Sequence, residues 1–275
     1  MDEPMQRWKW TVAYDGTSYE GWQSQSSGNT IQDKLEKALA EMNGLPPRTP
    51  VHGSGRTDAG VHAEGQVAHI DTPARLTLTE DSWPRAMNAR LPESIRIMKA
   101  EAVPESFHAR FSVVEKTYTY RLFLGNILPP MLAGRTWHVH KSLDEDDLRR
   151  AASLLTGRHD FRAFAANRGP RCAAPRSTAR TIREIEIIEV PEDQMLIRFT
   201  ADGFLYRMVR MLVGTMVKYS QAKLSETGLK LLVSAPSVLK TSACAPAGGL
   251  YLSDVSYAPS PVATSRKYTF KPRQI

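Results

Sequence analysis

Gly53-Ser54-Gly55-Arg56-Thr57-Asp58-Ala59-Gly60-Val61-His62-Ala63-Glu64-Gly65-Gln66-Val67-Ala68-His69 is the stretch on which the chain turns. Four glycines surround one arginine and one aspartate, and no apolar residues recur at helical spacing, so its first half reads as a loop. Glycine at that density admits positive φ and lets another molecule approach the backbone closely. Arg56 and Asp58, two positions apart, share a side wherever the backbone is extended. A plain turn, its carboxylate bonded to its own backbone, is the simpler alternative. Two nucleotide-binding readings fall away, because neither Gly-x-x-x-x-Gly-Lys-Ser/Thr nor the spacing of a dinucleotide fingerprint is present.

Outward from the loop, the patterns alternate between strand and helix. Residues 9–14 form an apolar and aromatic run ending at Asp15-Gly16, a strand and tight turn, with Tyr19 and Trp22 as packing aromatics beyond it. Thr30-x-x-Asp33 resembles a capping box, and Ile31, Leu35, Ala38, Leu39 and Met42 follow at helical spacing up to Asn43-Gly44. Strands are predicted over residues 66–71 and 94–101, with a short helix over 79–89 between them, giving a β-α-β-β-α-β-like order and hence one sheet with helices on one face. In the strand predicted over 116–124, Tyr118 and Tyr120 point the same way, about 7 Å apart, so one can occupy a small site while the other packs beside it.

Further on, residues 142–155 read as a capped helix whose acids Asp144 to Asp147 complement its dipole, with Gly157 closing it. Residues 181–191 and 194–201 read as strands, and Asp202-Gly203 turns the chain into a helix starting near Phe204. Met208, Met211, Leu212, Thr215 and Met216 form its core stripe, with Arg207, Arg210 and Gly214 on a neighbouring face. An arginine among apolar residues needs a carboxylate partner, since an unpaired buried guanidinium is costly. A last helix over 224–232, a Gly-Gly turn, a final strand and a basic, mobile tail from Ser260 complete the reading.

Composition bounds the function. The 275 residues are 41% hydrophobic and 24% charged, enough for a substantial core. No run of about eighteen apolar residues occurs, and the polar N-terminus does not read as a signal peptide, so a cytoplasmic protein with no membrane association is expected. Cys172 and Cys244 stand far apart, which excludes a Cys-x-x-Cys metal knuckle, and His138-x-His140 lacks further ligands, so no metal is expected. The net charge is +7, with 11 Lys and Arg against 15 Asp and Glu before His108 and 25 against 14 from there on. A polyanion suits that second half. Its most basic stretch carries Arg158, Arg162, Arg168, Arg171, Arg176, Arg180 and Arg183 against one acid, Asp160, with Phe161 and Phe164 interleaved, a pattern that fits a loop contacting RNA phosphates better than the alternative of a merely solvated loop.

The string Gly53 to Ala63 closely resembles the catalytic loop of the tRNA pseudouridine synthase A family. The resemblance continues in order through Ala13-Tyr14-Asp15-Gly16-Thr17-Ser18-Tyr19-Glu20-Gly21-Trp22-Gln23, Phe107-His108-Ala109-Arg110-Phe111-Ser112, Lys116-Thr117-Tyr118-Thr119-Tyr120, Met208-Val209-Arg210 and Ala245-Pro246-Ala247-Gly248-Gly249-Leu250-Tyr251-Leu252. It covers nearly the whole chain. It implies an α+β fold of two halves, each resembling an RNA-recognition motif, residues 1–108 and 109–275. The halves would join in an extended mixed, mainly antiparallel sheet with flanking helices and an active cleft between them. It implies a cofactor-free isomerase that converts uridine to pseudouridine in the anticodon arm of tRNA, with Asp58, Tyr118 and Arg210 as catalytic residues. Asp58 would act either by attack on C6 of the base or by assisting a glycal-like path, and Tyr118 would stack on the base near its C5 proton. Arg56 would fill the gap left by the flipped nucleotide or bind phosphate, with Arg162, Arg168 and Arg171 as further substrate contacts. The targets would lie at roughly positions 38 to 40 of that arm. A homodimer is also implied. Met211, where an Asn is common in the family, and residues 168–177 depart from its pattern. The competing readings are a non-catalytic RNA-binding protein or tRNA chaperone on the same fold, and a synthase for another RNA.

Overall fold

The computed structural model describes residues 3–140, 142–167, 177–236 and 239–258. Its strands are β1 (Met5–Tyr14), β2 (His52–Gly53), β3 (His62–Pro73), β4 (Ile95–Val103), β5 (Val113–Phe123), β6 (Trp137–His138), β7 (Gly157–Asp160), β8 (Ala179–Val190), β9 (Gln194–Ala201) and β10 (Leu250–Tyr257). Its α-helices are α1 (Ile31–Ala40), α2 (Ser82–Asn88), α3 (Glu145–Leu155), α4 (Met208–Ser220) and α5 (Glu226–Ser234). The strands form one sheet in the order β4-β1-β3-β10-β5-β9-β8-β7, with β2 beside β3 and β6 beside β5. Two contacts, β10 with β3 and β5 with β6, are parallel, and the others are antiparallel. The class is therefore α+β with a mixed, mostly antiparallel sheet.

The same motif occurs twice. The order β1-α1-β2-β3-α2-β4 lies in space as β4-β1-β3-β2, and β5-α3-β8-β9-α4-β10 lies as β10-β5-β9-β8. The two sets meet where Tyr251 and Leu252 of β10 pair with His62 and Ala63 of β3. The entry to β3 is thus placed at the middle of the sheet.

Local chemistry explains the elements. In β1, Trp8, Trp10, Val12 and Tyr14 alternate into the core. Thr30 caps α1 in the predicted capping box, its hydroxyl accepting from the Asp33 N–H while the Asp33 carboxylate accepts from the Thr30 N–H. The predicted starts of three helices shift inward. α2 begins at Ser82 because Thr79 carries the turn before it, α3 at Glu145 because Asp144 is the N-cap, and α5 at Glu226 because Ser225 caps it. The helix expected from Phe204 starts only at Met208, since Arg207 takes a left-handed conformation (φ 59°) that an α-helix does not continue. The stripe Met208, Met211, Leu212, Thr215 and Met216 is buried as predicted. Phe161 and Phe164, read from sequence as loop aromatics, lie in a 3-10 turn and are fully buried, so they are core. The tail from Ser260 lies outside the described residues.

Candidate active site

Residues 54–61 leave β2 and return into β3, and backbone groups at both ends and in the middle of the segment are held. Ser54 N–H donates to Val67 O at 2.7 Å, and Trp22 N–H donates to Thr57 O at 3.2 Å. Gly60 N–H donates to Tyr19 O at 3.3 Å, and Val61 N–H closes a turn onto Asp58 O at 3.1 Å. Gly60 sits third in that turn with φ 75°, which explains the glycine. Side chains add to the clamp. The Gln66 amide donates to Gly55 O at 3.0 Å and accepts from the Ser54 hydroxyl at 2.7 Å, and the Tyr14 and Thr57 hydroxyls lie 2.9 Å apart. The segment from Ala13 to Gln23 cradles the loop: a Cβ on Gly21, already at φ 93°, would stand 2.4 Å from Thr57 O. On the loop's other side, Lys116 of β5 donates through Nζ to Ser54 O at 2.8 Å.

Asp58 leaves this loop toward α4. Its Oδ2 lies 3.2 Å from Arg210 Nη1, and the two side chains are only 17% and 14% exposed, so solvent screens the pair weakly. Arg210 is anchored from behind, donating through Nε to Ala245 O at 2.8 Å, while Ala245 N–H donates to Arg210 O at 3.0 Å. Those contacts fix the guanidinium as a bracket between the carboxylate and the turn before β10. Arg207 Nε approaches the same Oδ2 at 4.0 Å from a more exposed position.

Tyr118 is buried on β5, with its ring edge-on to Phe204 at 5.1 Å. Burial first, then the neighbouring Tyr14 hydroxyl and Asp58 carboxylate, push its phenol well above the usual tyrosine range, so it stays protonated at neutral pH. Tyr120 faces the same way but is core, its hydroxyl donating to Pro246 O at 2.7 Å. Burial also pulls the Lys116 amine down to about 8, with Arg110 adding to the effect.

Asp58, Arg210, Tyr118 and Arg56 all line one cleft of about 1300 Å³. Arg56 is exposed there, donating through Nε to the Gln23 side chain at 3.2 Å. Among the described residues, six lysines and arginines line the cleft against three acids, so its field favours an anionic ligand. The structure leaves Arg162 outside this lining, exposed and 3.6 Å from Asp160, while Arg168 and Arg171 lie outside the described residues. Sequence reasoning gave no role to Lys116, Arg110 or Phe111, which line the cleft. Lys116 was within reach of it, since strand alternation puts residue 116 on the side of residue 118. Among the described residues, no group of three or more His, Cys, Asp or Glu side chains is placed to hold a metal ion, and no helix is long and apolar enough to cross a membrane.

A nucleic-acid-modifying enzyme is the class that this carboxylate–guanidinium pair in a basic cleft suggests, and comparison with known proteins names the family. The family model described as tRNA pseudouridine synthase matches residues 11–112 and 151–258. A tRNA pseudouridine synthase A from Akkermansia muciniphila is 46% identical over 256 residues, covering 92% of this chain and 96% of that one. Its counterpart from Bacillus pumilus is 41% identical over 251 residues, covering 90% and 98%, and that from Bacillus subtilis 40% identical over 251 residues, covering 91% and 99%. A structure titled "Crystal Structure of a Cbf5-Nop10-Gar1 Complex" is a more distant likeness, at 15% identity and a TM-score of 0.37 over 76% of this chain and 45% of that one. The chain belongs to the tRNA pseudouridine synthase family, whose members are isomerases.

Proposed function

We propose that this chain isomerises uridine to pseudouridine in the anticodon arm of tRNA, at roughly positions 38 to 40 beside a single-stranded loop, with Asp58 as the essential residue. The observation that carries this reading is the Asp58–Arg210 pair at 3.2 Å, shielded from solvent beside Tyr118 in a basic cleft. In the reaction the N1–C1′ bond breaks, a C5–C1′ bond forms, the C5 proton leaves and N1 is protonated. The product is an isomer, so the balance requires no oxidant or reductant.

Asp58 supplies the carboxylate, by attack on C6 or by assisting a glycal-like path. Arg210 keeps it ionised and aimed. Tyr118, protonated through burial, offers a ring face and an O–H to the base rather than a phenolate. Arg56 occupies the space left by the extruded nucleotide or holds its phosphate, because chemistry on a base requires that extrusion. Arg162, Arg168 and Arg171 contribute to phosphate binding further along the RNA. Residues 1–108 and 109–275 are the two halves contributing to the cleft, and the protein acts as a cytoplasmic homodimer.

The test is site mapping of pseudouridine in an unmodified tRNA transcript incubated with the purified protein. Pseudouridine in the anticodon arm is the expected result. Tight tRNA binding with none formed would favour the non-catalytic RNA-binding or chaperone reading, and formation only in another RNA would move the substrate.

A further inference from the structure

Phe111 lies at the cleft that also holds Asp58 and Tyr118, yet 76% of it is exposed. Leaving a phenylalanine in water forgoes the stabilisation its burial would give. The segment beneath it is firmly built. Arg110 and Phe111 both donate their backbone N–H to His108 Nδ1, at 3.1 and 3.3 Å, and His108 N–H donates to the Ser112 hydroxyl at 3.0 Å. The His108 imidazole stands 4.3 Å from the Phe111 ring at 34° and also meets the buried His69 ring, at 4.6 Å and edge-on. His69 in turn accepts the Ala109 N–H at 3.2 Å. Both rings therefore present unprotonated Nδ1 atoms to the backbone, and burial lowers both histidines, His69 to about 4, so the support stays neutral at neutral pH. The Arg110 guanidinium lies 5.7 Å from the Phe111 centroid. Lys116 lines the same cleft.

An exposed ring on a rigid backing, with a guanidinium beside it in a basic cleft, is the arrangement that holds one unpaired base by its face and the adjoining phosphate by its charge. We propose that Phe111, backed by His108, is a stacking platform for an unpaired base of the substrate RNA outside the catalytic pocket, with Arg110 taking the neighbouring phosphate. The proposal rests on the reading that the cleft receives RNA, and it adds a binding residue that the reaction itself does not require.

The experiment compares wild type with Phe111→Ala, Phe111→Leu and Phe111→Trp. It measures tRNA Kd by filter binding, KM and kcat by release of C5 tritium, and oligomeric state by sedimentation. Loss of one stacked base predicts about a 5- to 100-fold rise in Kd and KM for both Phe111→Ala and Phe111→Leu, with kcat within about threefold. Phe111→Trp should restore affinity, and its added tryptophan emission should be quenched by tRNA. Leucine performing as well as phenylalanine would overturn the proposal, as would loss of kcat at unchanged KM. A change of oligomeric state on Phe111→Ala would also overturn it, by assigning the ring to a contact between copies. If the wild type bound tRNA through Phe111 but released no tritium, the platform would stand and the isomerase reading would fall.

Discussion

The two segments that bring Asp58 and Arg210 together solve the same backbone problem in opposite ways. Residues 54–61 and the turn cradling them place left-handed backbone at glycines, with φ 75° at Gly60 and 93° at Gly21. Residues 204–207 place it at an arginine, with φ 59° at Arg207 immediately before α4. A non-glycine residue in that region costs about 1–2 kcal/mol. The loop is therefore built for position, its glycines admitting close contact with neighbouring backbone. The turn accepts strain at a residue whose long cationic side chain faces the same carboxylate, 4.0 Å away.

Substitutions can break or sharpen that contrast. After Asp58 itself, the largest effect is expected from Arg210→Met, which removes the joint between the segments, leaving Asp58 only the 4.0 Å approach of Arg207 and Ala245 O without the guanidinium. Single-turnover tritium release should fall about 10²- to 10³-fold, in the range seen when a preorganised electrostatic donor is lost. Arg210→Lys should recover little of this, since an ammonium cannot span both contacts as the fork does.

Gly21→Ala attacks the loop alone. Its Cβ would sit 2.4 Å from Thr57 O on backbone at φ 93°. Denaturant unfolding should show a loss of about 1–3 kcal/mol, and kcat should drop about tenfold or more as Asp58 is displaced. Arg207→Gly makes the turn resemble the loop. Stability should hold or rise by up to about 1 kcal/mol, while the slope of log Kd against log salt should become shallower by about one charge. If Gly21→Ala proved harmless, or Arg207→Gly destabilising with RNA affinity intact, the contrast would fail.

The smallest effect concerns pH. Lys116 clamps Ser54 O, and burial brings its amine from 10.5 to about 8. The native amine thus loses its charge as pH rises through about 8, while the unfolded chain keeps its proton to higher pH. Between those values the unfolded state binds more protons, so this residue makes stability rise with pH. RNA affinity should move the other way, tRNA Kd weakening a few-fold from pH 7 to 9 as one cationic contact is lost. Lys116→Arg, which keeps its charge, should abolish that inflection.

The residues of the candidate site were more legible in the sequence than the margins of the elements around them, for identifiable reasons. Asp58, Tyr118 and Arg210 stand in strings whose order matches a known family, and the capping box at Thr30 and the methionine stripe of α4 are local patterns read directly. The early start of β3 at His62 was not legible, because His62 and Ala63 pair with β10, nearly two hundred residues away, and carry no apolar alternation of their own. The late start of α4 depends on one left-handed arginine, which propensity would not place there. Phe161 and Phe164 misled because arginines surround them in sequence, while the 3-10 turn packs both rings against the core formed with α4 and α5. The repeated β-α-β-β-α-β order is topological and leaves no visible repeat in the residues.

The most direct measurement is release of C5 tritium from 5-tritiated tRNA by wild type and Asp58→Asn, with tRNA binding followed in parallel. Asparagine keeps the shape and removes the charge that faces Arg210. The account predicts that release falls by at least about a thousandfold while Kd stays within about threefold, the signature of an interaction made in the transition state and not in binding. Release by Asp58→Asn within tenfold of wild type would contradict the assignment of the chemistry to that carboxylate.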